Sequence, residues 1–171
     1  MSNTIRTRPA GLRLKKGMHK KFLIVSGLLL AVYGGLSASP YGVKMTVSSS
    51  VEHSVFVTKK QKSYNLVVGQ YVTVKTPTDP SSHNEYIKIV AGLPGDEVKI
   101  DGRDIYVAGV YRGRAKEVSL KGEPLEIMEG GVVPEGYIYL FAPSLDSYDS
   151  RYKAIGFVPM SFVTSVAKGI V

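Results

Sequence analysis

With 171 residues, 44% of them hydrophobic, and with 18 Gly and 9 Pro, the chain fits one compact, turn-rich globular core and not a disordered protein or two comfortable domains. The absence of Cys excludes disulfides, thiolate zinc sites and a cysteine nucleophile, and His19, His53 and His83 lack metal-ligand spacing, so neither a metal nor a cofactor is expected. The net charge of +8 does not imply nucleic acid, because residues 1–21 hold seven cations and no acid, leaving 15 Lys and Arg against 14 Asp and Glu in the remaining 150 residues.

The basic stretch 1–21 reads as a cytoplasmic tail. Phe22 to Ala38 (FLIVSGLLLAVYGGLSA) carries no charge, and at ~1.5 Å per residue it spans about 26 Å, at the short end for a membrane helix. Continuing to Tyr41 adds an interfacial aromatic and gives a single transmembrane helix over 22–41. The positive-inside rule then places 42–171 outside the cytoplasm. Ser37-Ala38-Ser39 also offers small residues for a cleavable secretory signal; the long basic tail, the length of the apolar run and Pro40 argue for an anchor instead.

Past the anchor, Ser48-Ser49-Ser50 joins two apolar runs, as a polar turn between strands would. His53, three residues beyond Ser50, invites a Ser-His-Asp triad, but no motif supports one and an exposed turn histidine is expected. Leu66 to Lys75 alternates valines after a glycine and reads as a strand, followed by a polar loop over 77–84.

Glu85 to Asp96 (EYIKIVAGLPGD) opens as a strand with Tyr86, Lys88 and Val90 on one face and Ile87 and Ile89 on the other. Two readings of Lys88 stand side by side. It snorkels from a strand that ends in a turn, or burial between isoleucines disfavours its ammonium form so that it loses its proton near neutral pH. Moving it from ~10.4 to ~7 implies a penalty of roughly 4–5 kcal/mol on the charged form. Leu93-Pro94-Gly95-Asp96 is turn chemistry. Asp101-Gly102 between alternating runs predicts a hairpin over 97–107, and the charged, glycine-rich stretch 110–131 reads as a small peripheral insertion. Further strands are expected at 134–140 and within 160–171.

Tyr86-Ile87-Lys88, Val90 and Gly92 to Asp96 resemble the lysine box, Y-I-K-x-V-x-G-L-P-G-D, of type I signal peptidases, the serine–lysine membrane proteases. The serine region lacks the Met and Pro of their S-M-x-P-T-L box. It is closer to the TraF-like conjugative-transfer peptidases, whose pattern resembles T-x-S-L-P-x-R-V-F-L, with Val51 for Leu, Glu52 departing from Pro, and Val55-Phe56-Val57 as the apolar close. Ser147 to Tyr152 and Gly156 to Pro159 resemble the last box, S-x-D-S-R-Y-x-G-x-V-P, with one extra residue between Tyr152 and Gly156. The G-D-N-R-D string of general leader peptidases is replaced by Ala142 to Asp146.

The resemblance implies an all-β, signal-peptidase-like catalytic domain behind a single N-terminal transmembrane helix. It implies Ser50 as nucleophile, with Ser48 and Ser49 as competitors, and Lys88 as its base. It further implies an oxyanion hole from the Ser50 N–H and the Ser48 hydroxyl, Ser147 bonded to the Lys88 amine, and an Asp149–Arg151 pair fixing the loop. The implied enzyme sits in the inner membrane with a periplasmic catalytic domain and cleaves a preprotein after small residues. A conjugative prepilin or another transfer protein is the expected substrate, the lipid bilayer and a transfer or secretion apparatus are the expected partners, and the charge distribution leaves no nucleic acid among them. A housekeeping signal peptidase I is one rival; a non-catalytic anchored subunit of a secretion apparatus is another.

Overall fold

The computed structural model describes residues 18–37, 39–46, 51–61, 63–76, 78 and 84–170. One helix, α1 (Met18–Ser37), precedes the strands β1 (Tyr41–Met45), β2 (Val55–Lys59), β3 (Tyr71–Lys75), β4 (Glu85–Gly92), β5 (Glu97–Asp101), β6 (Asp104–Val107), β7 (Val110–Arg114), β8 (Gly131–Val132), β9 (Tyr137–Phe141), β10 (Val158–Pro159) and β11 (Val163–Gly169). The pairings are antiparallel. They build a seven-stranded sheet, β1-β2-β11-β3-β4-β9-β10, and a four-stranded sheet, β7-β6-β5-β8.

The helix differs from the expected anchor over 22–41. It ends at Ser37, and Tyr41 opens β1. Its uncharged part, Phe22 to Ser37, rises only about 24 Å against a hydrocarbon core of ~30 Å, with three glycines inside it. Among the described residues, no helix is long and apolar enough to cross a membrane.

The alternating strand around Lys88 forms as β4, between β3 and β9, so its backbone is paired on both edges. The two faces bury different clusters. Val90 packs with Val72, Val74, Ile138 and Leu140. Ile87 packs with Val51, Phe56 and Ala142. A third cluster, with Ala91, Val98, Ile105, Val107 and Tyr139, draws on both sheets. Such double coverage is the physical reason that a lysine here has little water to reach.

Beyond Val90 the register with β9 shifts, and a Cβ on Gly92 would stand 2.8 Å from Val107 Cγ1 and 3.1 Å from Tyr139 Cβ. Gly92 is required by close approach; Gly95, at φ 90°, supplies the left-handed residue of the turn. That turn is closed by Asp96 N–H donating to Leu93 O at 3.0 Å and by Leu93 N–H donating to Asp96 Oδ2 at 2.8 Å. The hairpin at Asp101 forms with Ile100 opposite Ile105. Of the expected strand over 66–75, only β3 is strand; Val67 to Gln70 turns, with Gly69 at φ 89°.

The segment 110–131, read as a peripheral insertion, is partly structural. β7 pairs with β6, β8 with β5, and Ala115 and Met128 are buried in the cluster that draws on both sheets. Its glycines and charges hid a strand whose apolar contribution is only a few residues.

Candidate active site

Lys88 is 7% exposed, and its Nζ donates to Ser147 Oγ at 2.6 Å across 59 residues of sequence. Burial pushes its pKa down; the Asp149 carboxylate offsets part of that, and the Arg151 guanidinium adds to the lowering. The net shift is downward, towards the neutral amine, the form with a lone pair able to accept a proton.

Loop 142–151 holds Ser147 in place through a buried ion pair. Asp149 and Arg151 side chains are fully buried, with Arg151 Nε donating to Asp149 Oδ1 at 2.8 Å and Nη2 donating to Oδ2 at 2.9 Å. Arg151 Nη2 also donates to the carbonyls of Ser144 at 2.9 Å, Ser147 at 3.2 Å and Ala142 at 3.3 Å. Asp149 Oδ2 accepts the Ala142 N–H at 3.0 Å, and Ser150 Oγ accepts the Leu140 N–H at 3.0 Å. A loop ordered around one charge pair thus presents the hydroxyl that Lys88 meets.

Two spaces open at Lys88. A pocket of about 110 Å³ is walled by Val74, Tyr86, Leu140, Tyr148, Ile155 and Val158, mostly apolar, with Lys88 and Asp149 as its charged members. A cavity of about 540 Å³ lies between Lys44, Met45 and Thr46 on one side and Glu85 to Lys88 on the other, with Val51, Asp146 and Tyr148. Lys44 and Glu85 pair across it. Ser48, Ser49 and Ser50 lie outside the described residues. Thr46 and Val51, which bracket the serine cluster, both line the cavity that Lys88 lines. Thr46 N–H donates to Ser54 O at 2.9 Å, which extends the β1–β2 pairing by one bond beyond Met45 and Val55.

His53 is half-buried, not an exposed turn residue. Its ring stands edge-on to Phe56 and Tyr71, each at 5.9 Å between centroids, and a Cβ on Gly169 would overlap it. Two lining residues escaped the sequence reading. Tyr148, at a position the last box leaves open, stacks on Tyr152 at 5.2 Å, and Glu85, one residue before the lysine box, pairs with Lys44. Among the described residues, no three His, Asp or Glu come together as metal ligands would.

The pattern of the family described as signal peptidase, peptidase S26, matches residues 17–171. The chain belongs to that family. Among curated proteins, it is 38% identical over 90 residues to a conjugal transfer protein TraF of Agrobacterium tumefaciens, covering 49% of this chain and 47% of that one. A probable conjugal transfer protein TraF of Sinorhizobium fredii is 27% identical over 131 residues, covering 75% and 68%. A probable signal peptidase I-2 of Synechocystis is 35% identical over 94 residues, covering 52% and 40%. The matches thus span about half the length of the Agrobacterium relative and less of the Synechocystis one. A signal peptidase I from Enterococcus faecalis superposes with a TM-score of 0.42 at 24% identity, over 60% of this chain and 97% of that one. Family membership rests on the match over residues 17–171, and the relatives include proteins of the TraF-like kind.

Proposed function

We propose that this peptidase S26 member is a serine endopeptidase in which Ser50 attacks the scissile carbonyl and Lys88 takes its proton. The observation that carries this reading is Lys88 itself: a buried lysine with a lowered pKa, held by Ser147, on a cavity that Thr46 and Val51, on either side of residues 47–50, also line. Lysine then returns the proton to the leaving amine, and a water hydrolyses the acyl-enzyme by the same base. The Ser50 N–H and the Ser48 hydroxyl are proposed donors to the oxyanion, each worth ~10²–10³ in rate. Asp149 and Arg151 act by positioning the loop that carries Ser147.

The small apolar pocket beside Lys88 suits a small side chain just before the cut, as in a signal or leader peptide. The basic tail and the apolar helix suit attachment at a membrane, with residues beyond 40 facing the periplasm. The similarity to conjugal transfer proteins points to a conjugative prepilin or transfer protein as substrate, and to a transfer apparatus as partner.

Co-expression with a prepilin, read by intact mass, tests the reading. Wild type is expected to cleave next to a small residue, and Ser50→Ala and Lys88→Ala to lose at least about 10³-fold. Cleavage that persists in Lys88→Ala overturns the dyad. Wild type that leaves the prepilin intact but trims ordinary exported preproteins would favour a housekeeping signal peptidase, the reading that the likeness to the Synechocystis protein supports.

A further inference from the structure

The spaces at Lys88 continue past Asp146 and Tyr148. On the other side of these residues lies a groove of about 610 Å³ between the segment 116–125 and the loop 144–148, with Lys116, Leu120, Leu125, Leu145, Asp146 and Tyr148 in its walls. Tyr148 also lines both the 110 Å³ pocket and the 540 Å³ cavity, so three spaces meet at one ring.

The groove's outer wall is built, not loose. Ser119 N–H donates to Glu123 O at 2.8 Å, Leu125 N–H donates to Glu117 O at 2.7 Å, and Val118 bridges Pro124. Arg103 reaches from the β5–β6 hairpin to donate to Ala115 O at 2.9 Å and Leu125 O at 3.0 Å. On this ordered wall and the facing loop, Leu120 is 80%, Leu145 60% and Tyr148 44% exposed. Large apolar side chains fixed in water around a groove mark a surface with a partner. The groove's charges balance, Lys116 and Lys121 against Glu123 and Asp146, and Lys116 Nζ pairs with Asp146 Oδ1 at 2.5 Å. A groove whose charges cancel and whose exposed large side chains are apolar suits an uncharged polypeptide stretch and offers a polyanion no net positive charge.

We infer that this groove receives the substrate chain adjoining the residues held at Lys88, as an extended segment that seats an aliphatic side chain among Leu120, Leu145 and Tyr148. The inference rests on the peptidase reading and adds a second recognition site to it, built largely by the segment 116–125.

Fluorescence anisotropy with the full chain tests this. The probes are an Ala-Ser-Ala-Ala tetrapeptide and two ten-residue peptides that extend it, on the amino or the carboxyl side, with a leucine-containing segment. At least one extended peptide is expected to bind wild type about tenfold more tightly than the tetrapeptide. Leu120→Asp and Leu145→Asp, at exposed positions where folding is undisturbed, are expected to abolish that gain and to leave the tetrapeptide unchanged. Equal affinities for all peptides in wild type and both variants overturn the groove while the peptidase reading stands. If wild type binds no peptide, the peptidase reading falls and the inference with it. Should the variants bind peptides as wild type does but sediment less with anionic phospholipid vesicles, the patch is a lipid-facing one and the inference is overturned.

Discussion

Burial lowers the pKa of Lys88, and the sign of that shift fixes two pH dependences. Activity that needs the free amine rises with pH through the folded-state pKa and levels off below the ordinary value of ~10.4. Between those two points the unfolded chain carries the extra proton, so stability also rises with pH across the window. Below the window, the folded state bears the whole penalty of a buried ammonium. Lys88→Met is therefore expected to gain most over wild type on the acid side of the window and to lose that advantage as pH approaches ~10.4, measured by urea unfolding over a pH series. A difference that does not change with pH would mean that Lys88 titrates as an exposed lysine does. At this scale the sequence showed the lysine between isoleucines but left open whether it was buried. Coverage of β4 on both faces closed that question, and the 59-residue separation of Lys88 from Ser147 is spanned only by the sheet.

Among the elements, the turns separate what local sequence can and cannot say. Asp101-Gly102 announced its hairpin because glycine reaches positive φ freely, and Gly102 sits at φ 59°. The equally short connection from β6 to β7 gave no such signal. Its two central residues, Ala108 at φ 48° and Gly109 at φ 75°, are both left-handed, and alanine is a poor residue for that geometry. Register and sheet twist impose the conformation on Ala108, at a cost of roughly 1–2 kcal/mol. Ala108→Gly is expected to stabilise the chain by about 1 kcal/mol, less what glycine adds to the unfolded state's entropy, read as an increase in the urea midpoint at constant slope. No change, or a loss, would show that the turn relaxes around alanine. This same turn explains why 110–131 looked peripheral: without a visible hairpin signal, β7 could not be tied to β6.

Across the whole molecule, the chain divides after Ser39 into two compact units, with the sheets and their three apolar clusters in Pro40–Val171. The strands of that unit pair with one another in the two sheets. Residues 40–171 expressed alone are expected to unfold in one cooperative transition, with a urea slope in proportion to their size, followed by circular dichroism. A chain that is unfolded or non-cooperative without 1–39 would place part of the folding determinants in the helix.

Sequence by itself determined the alternation of β4, the Leu93–Asp96 turn, the basic tail and the separation of an apolar N-terminal stretch from a β-rich remainder. These are local: each depends on side-chain period, fixed φ or charge within a dozen residues. Tertiary structure alone decided that Lys88 is buried, that Asp149 and Arg151 are buried as a pair, and that Tyr41 opens strand β1 instead of continuing the helix, which ends at Ser37. It also decided that Tyr148 stands where three spaces meet. Solvent exclusion is the reason for the difference, since it arises only when strands remote in sequence close over the same side chains, and no window of sequence contains that event.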